Sequence, residues 1–291
     1  MDLGVVFLPE HRWSEASARW RRAEELGFAH AWTYDHLAWR TLRDGPWFGS
    51  VPTLTAAATV TQRIRLGPLV ASPNFRHPVP FAKELMTLDD VSGGRLVVGI
   101  GAGGYGWDSS VLGEQPLSPV ERAARFAEFV ELTDLLLRQP ETTYRGRFYA
   151  ADGATNHPGC VQRPRAPFAV AATGRRGMEL AARFGDSWVT TGDPSLGEDV
   201  APDDGARAVA RQIERLDECC ARVGRDPSTL RRMVLTGPQL DAGLDSEGAF
   251  GHALGCYAAV GVDDLVVHWP RPTDPYRGDV DTFERVVTSA L

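Results

Sequence analysis

Nothing in these 291 residues runs apolar for the roughly 18 positions that a membrane-spanning helix requires. No basic segment followed by an apolar one precedes the first strand, so no leader is read there. Cysteine is scarce: of the four, Cys219 and Cys220 are neighbours, and none keeps a paired metal-ligand spacing with Cys160 or Cys256. A disulfide framework is thereby excluded, and a reducing cytoplasm is the expected setting. The seven histidines form no H-x-H or H-E-x-x-H pattern, so no metal centre is expected and a barrel metallohydrolase finds no support. No G-x-S-x-G elbow is present, which removes one class of serine hydrolase. Lysine is nearly absent too, Lys83 alone against thirty arginines, a skew that codon usage explains without function. Net charge is −7, so neither a nucleic-acid surface nor attachment to an anionic membrane is expected.

What is present is an alternation of short apolar strands and amphipathic helices. Strands are expected at Leu3–Phe7, Ala29–Thr33, Ile64–Val70, Leu96–Ile100, Phe168–Ala172, Ser187–Thr191, Arg231–Thr236 and Asp264–His268. Each is rich in Val, Leu or Ile, as strands covered on both faces are. Helices are expected to start near Ser14, Ser50, Pro78, Pro119, Arg175, Asp204, Ser246 and Asp279, with Ser118 and Glu121 forming a capping box for the fourth. Eight βα units predict a (β/α)₈ TIM barrel, one domain over residues 1–291, with an irregular insertion between strands 4 and 5 at residues 140–167. That insertion carries Tyr144, Phe148 and Tyr149 around a Gly146 turn, and long loops of this kind serve as lids or binding segments. A second, acidic loop covers residues 192–205.

Ligands of such barrels bind at the C-terminal ends of the strands, which shortens the search. After strand 5, Ala172-Thr173-Gly174-Arg175-Arg176 opens a helix, and free amides, a hydroxyl and two guanidiniums suit a phosphate. The same turn is equally an ordinary N-cap with solvated arginines. After strand 2, Asp35-His36 follows Trp32 and Tyr34, and a histidine among aromatics can move a proton near neutral pH. Alternatively, His36 is structural and bonded to a neighbouring carbonyl. Strand 3 ends in Ala71-Ser72-Pro73-Asn74, strand 8 in His268-Trp269, and strand 4 in Gly101-Ala102-Gly103-Gly104. Gly99, Gly101 and Gly104 keep the spacing of a dinucleotide fingerprint, yet the run leads into Trp107-Asp108-Ser109 and a loop rather than a helix. Phe48, Tyr105 and Trp107 are candidates for an apolar pocket.

With these residues in place, the chain resembles the luciferase-like monooxygenase superfamily of flavin and F420-dependent oxidoreductases over nearly its whole length. The matching blocks are WTYDHL at 32–37, RHP at 76–78 with Ala82-Lys83, LDDVSGGRL at 88–96, GIGAGGYGWDSSVLG at 99–113, Glu121-Arg122, YRGRFY at 144–149, and TGRRGMELAARFGDSW at 173–188. The resemblance implies coenzyme F420, or alternatively FMN, with its ring system near Val70, Ala71 and Ser72, where the family often has a cis non-prolyl peptide. It implies a phosphate near Thr173, Gly174 and Arg176, with Ala172 and Gly103 facing the cofactor and Arg122 as a second anchor. The family often carries Trp where this chain has Gly104 and Glu where it has Asp108. Asp108 is therefore the candidate acidic catalyst beside His36 and Asp35.

Three functions follow from the resemblance. The first is an F420-dependent oxidoreductase moving hydride to or from a small-molecule substrate, the branch that the Asp35-His36 pair resembles. The second is an FMN monooxygenase supplied by a flavin reductase partner. The third is a catalytically silent flavin-binding barrel. A homodimer is expected, as is usual among such relatives.

Overall fold

The structure is a computed structural model and describes residues 1–104, 106–197, 199–237 and 239–291. Tyr105, expected in an apolar pocket, lies outside the described residues. Ten strands and eight α-helices follow one another along the described chain, alternating except at β5–β7: β1 Asp2–Phe7, α1 Trp13–Leu26, β2 His30–Thr33, α2 Ser50–Val60, β3 Arg65–Pro68, α3 Pro78–Val91, β4 Val98–Gly101, α4 Pro119–Arg138, β5 Glu141–Arg145, β6 Ala150–Thr155, β7 Phe168–Ala171, α5 Arg175–Phe184, β8 Ser187–Thr190, α6 Pro202–Arg222, β9 Arg231–Leu235, α7 Glu247–Ala259, β10 Asp264–His268 and α8 Val280–Thr288. Eight strands form one parallel sheet in the order β3-β2-β1-β10-β9-β8-β7-β4. This is the predicted TIM barrel. Several expected starts coincide with observed caps: Ser118 and Glu121 form the capping box of α4, and Ser246 and Asp279 accept amide hydrogens at the starts of α7 and α8.

The barrel closes between β3 and β4 through single bridges rather than a continuous ladder. Leu66 pairs with Leu96, and Ala71 with Ile100. Between them Pro68 has no N–H to donate, and the backbones approach closely at Gly67 and Gly99. A Cβ on Gly67 would lie 1.7 Å from the Val97 carbonyl oxygen, and one on Gly99 would lie 2.2 Å from that of Pro68. The Leu69–Val70 peptide just beyond is cis and non-prolyl, beside the positions where the family resemblance placed one.

Pleat alternation divides the core in two. Outward side chains of the strands meet the helices in a large cluster that includes Trp20, Phe81, Phe129, Trp188 and Phe250, while inward ones (Val6, Trp32, Leu69, Val189, Met233, Val266) fill the barrel. The N-terminal end is plugged by polar groups. Trp32 Nε1 donates to His30 Nδ1 at 2.6 Å, so the ring proton sits on Nε2, which faces Asp264 Oδ1 at 3.2 Å. Arg231 grips the same carboxylate with Nε and Nη2 at 3.0 and 2.8 Å. Burial alone would raise the Asp264 pKa, but the hydrogen bonds from His30 and Arg231 outweigh it and hold the carboxyl below its usual range. A carboxyl depressed in the folded state stabilises it above the unfolded pKa, about 3.9, and loses that contribution as pH falls through the folded value. Asp264→Asn should therefore cost about 2–4 kcal/mol at pH 7 and flatten the acid limb of a stability–pH curve. An unchanged acid limb in urea titrations would assign the acid lability to other groups.

The insertion departs from expectation. Residues 140–167 are not wholly irregular: β5 and β6 form an antiparallel hairpin, with Tyr144 opposite Ala151. Its turn is tied to α4 by Glu128, whose carboxylate accepts the amides of Arg147, Phe148 and Tyr149 at 2.8–3.1 Å. The aromatics that suggested a lid serve as packing, with Tyr149 against Phe129 and His77.

Candidate active site

The C-terminal ends of β2, β3, β7, β8, β9 and β10 surround a cavity of about 620 Å³. Small residues at the top of β7, Ala171 and Ala172, leave that space, and Leu69, Val70, Val189 and Leu235 make its walls apolar. Pro194, Leu196 and Gly197 of the acidic loop line one side, whereas no described residue of the hairpin insertion does. The loop is fastened by a bridge from Val200 to Leu240 and by the Gln239 side-chain amide, which donates to the Asp193 carbonyl. The loop that lines the cavity is thus the acidic one, at Pro194, Leu196 and Gly197, rather than the insertion the sequence favoured.

His36 lines the cavity from the end of β2, and its Nδ1 meets a carboxylate oxygen of Asp108. Asp108 is 5% exposed, and its other oxygen accepts the Leu37 amide at 2.8 Å. Trp47 Nε1 donates to the His36 carbonyl at 2.8 Å, which fixes the backbone beneath the ring. A carboxylate held at both oxygens orients the imidazole, and Nε2 is the nitrogen left to meet a ligand.

Asp35 stands apart from this pair. It is 1% exposed, with Arg76 Nε and Nη2 at 3.0 and 2.8 Å and Ser50 Oγ at 2.5 Å. It ties the end of β2 to the starts of α2 and α3 and does not line the cavity.

Of the cofactor residues expected from the sequence, Val70, Ala172 and Thr173 line the cavity. Gly174 is the N-cap of α5 with no side-chain cap, so the first-turn amides of that helix are open to an anion. Ala71 and Ser72 lie buried just behind Val70. Gly103 offers its carbonyl to Arg122 Nη1 at 3.3 Å, and Asn74 joins the same corner, receiving Arg125 at 2.8 Å and reaching the Gly104 carbonyl at 3.1 Å. Arg176 corrects the expectation: its exposed side chain lines a shallow groove with Ala123, Glu179 and Arg183 between α4 and α5, outside the mouth cavity. The direction of successive side chains around a helix start, which spacing alone does not reveal, puts it there. Phe48 and Trp107 also lie outside the mouth cavity: Phe48 lines a separate pocket of about 250 Å³ with Phe7, Trp13, Trp20 and Trp269, and Trp107 is stacked under Arg43 at 3.3 Å.

The floor of the cavity holds a group that motif reading missed. Tyr34 Oη lies 2.7 Å from His268 Nε2 and 3.0 Å from Tyr276 Oη, and the His268 and Tyr276 rings stack at 3.5 Å. Burial pushes the His268 pKa down to about 3, the nearby Thr236 carbonyl offsetting little of it, so the ring is neutral at physiological pH. Burial, with Tyr276 alongside, also raises Tyr34 well above the usual phenol range. His268 Nδ1 is buried and makes no well-formed hydrogen bond among the described residues. His268 was visible as a strand end, but nothing in spacing ties it to Tyr34, 234 residues away.

The comparisons with known proteins agree with this architecture. The chain belongs to the luciferase-like monooxygenase family, whose model matches residues 1–243. It is an enzyme of the luciferase-like flavin/F420-dependent oxidoreductase type. An F420-dependent glucose-6-phosphate dehydrogenase of Nakamurella multipartita is 35% identical over 210 residues, 67% of this chain and 58% of that protein. The solved structure of an F420-dependent secondary alcohol dehydrogenase with an F420-acetone adduct superposes with a TM-score of 0.79 at 18% identity, covering 100% of this chain and 98% of that one. Monooxygenase RslO1 from Streptomyces bottropensis superposes at 0.76 with 20% identity, covering 100% and 97%. No helix among the described residues is long and apolar enough to cross a membrane.

Proposed function

We propose that the chain is an F420-dependent oxidoreductase acting on a small organic substrate. The carrying observation is His36, oriented by buried Asp108, at the wall of a cavity whose rim holds Thr173 and the uncapped start of α5. Relatives named as F420-dependent glucose-6-phosphate dehydrogenases support the choice of cofactor.

The residues present fit such a group. A flat ring system suits the apolar walls at Val70 and Ala171, and a phosphate suits Thr173, Gly174 and the free amides of α5. When bound, the deazaflavin supplies a two-electron hydride carrier. The chain's own part is acid–base and positional. His36 Nε2 gives or takes the proton of the substrate's oxygen, and Asp108 steadies the charged ring as it does so. The neutral Tyr34–His268–Tyr276 group offers hydroxyl contacts at the floor without placing a fixed charge there. Trp39 and the 194–197 segment restrict water above.

Thermal shift with each cofactor tests the assignment. At 100 times its Kd, F420 should add about 2.7 kcal/mol and raise Tm by several degrees, while FMN should add little. Tight FMN binding with no response to F420 would refute this reading and favour a flavin monooxygenase.

A further inference from the structure

On the outer ring of helices, away from the mouth, Asp203, His252 and Cys256 converge. Asp203 lies in the first turn of α6, and His252 and Cys256 are one turn apart on α7, so their side chains share one face. His252 Nε2 is 2.8 Å from Asp203 Oδ2, and Cys256 Sγ is 3.5 Å from the same nitrogen. One ligand atom from each residue falls within 4.8 Å of the other two.

We propose that these three side chains form a site for a zinc-class divalent cation, with the remaining position taken by water. Bond lengths of about 2.3 Å to sulfur and about 2.0 Å to nitrogen, at a tetrahedral angle, put those two atoms about 3.5 Å apart. That matches the Cys256–His252 separation in the structure. The same construction puts nitrogen and carboxylate oxygen about 3.3 Å apart, so the Asp203–His252 hydrogen bond opens by only about 0.5 Å to admit the ion. Thiolate, imidazole and carboxylate together select zinc over magnesium or calcium, which take oxygen ligands. The Asp203 and His252 side chains are both 57% exposed, so the ion reaches them without any opening of the fold. Arg207, ion-paired with Asp204 at the neighbouring position, is the cation that opposes binding, and the carboxylate and thiolate supply two negative charges against it. On binding, the thiol's proton leaves to solvent as the metal–sulfur bond forms. Spacing rules could not find this set, because its members lie on two helices and 49 residues separate Asp203 from His252.

The full-length protein, stripped with a chelator, tests this by titration with zinc in a calorimeter and with cobalt(II) in a spectrophotometer. The expected result is one equivalent of zinc, a rise in Tm with zinc, and a thiolate-to-cobalt charge-transfer band. His252→Ala and Cys256→Ser should each weaken binding by more than about tenfold, the loss that even outer-shell changes cause at metal sites. Cys256→Ser should also abolish the band. His252 is exposed, and Cys256→Ser changes one atom of a half-buried side chain, so both variants should keep the parent's circular dichroism. The proposal is overturned if no saturable binding occurs, if the cobalt complex lacks the thiolate band, or if both variants bind zinc as the parent does.

Discussion

Replacing His36 with alanine should lower kcat by about 10²–10⁴-fold while the Kd for F420 stays within about threefold. The separation follows from geometry. His36 contributes one ring to the cavity wall, whereas the expected cofactor contacts come from Val70, Ala172, Thr173 and the start of α5. Alanine removes the proposed proton carrier and leaves those contacts standing. Asp108→Asn is the companion variant. The asparagine oxygen still accepts from Leu37, but its amide presents a donor to His36 Nδ1 and favours the opposite tautomer. Turnover should then fall by about 10²-fold or more with binding again spared. Stopped-flow reduction of bound F420 separates chemistry from binding in both variants. Should His36→Ala bind F420 weakly yet turn over normally once saturated, His36 is a binding residue and the proton route lies elsewhere, with Tyr34 and His268 next in line.

The barrel was legible because its signals are local. Apolar runs ending in Gly, Pro, Asn or Ser, together with capping residues such as Ser118 and Asp279, mark each βα unit without reference to any other. His36, Thr173 and Gly174 were legible for the same reason, as residues at strand or helix ends. What escaped depends on direction or on distant pairing. Asp35 and His36 are adjacent, yet one side chain turns into the shell toward Arg76 and the other into the cavity. Arg176 turns outward one step after Gly174 and Arg175, and Tyr276 reaches the floor from a loop with no periodic pattern. The hairpin escaped because β6, Ala150–Thr155, contains Asp and Gly in place of the β-branched residues that announce a strand.

Gly67→Ala should be the most damaging single methyl in the molecule. The new Cβ would stand 1.7 Å from the Val97 carbonyl oxygen, 2.9 Å from its carbonyl carbon and 3.1 Å from the Trp32 ring. The first two are backbone atoms, so no rotamer change relieves the contact. Nor is Val97 free to retreat: its amide donates to Leu66 at 2.9 Å, and the next amide donates to Pro167 at 2.8 Å. Relief means parting β3 from β4 where the barrel is joined by single bridges alone. The cost should exceed about 4 kcal/mol, a large share of the 5–15 kcal/mol that holds a typical domain together. Gly251→Ala is the contrast. That glycine lies on the exposed face of α7 with nothing within 4 Å of an added Cβ, and the same methyl should stabilise by about 0.5–1 kcal/mol. Chemical denaturation of the two variants beside the parent settles it. If Gly67→Ala unfolds at the parent's denaturant midpoint, β3 and β4 part without cost and the barrel's closure does not depend on that contact.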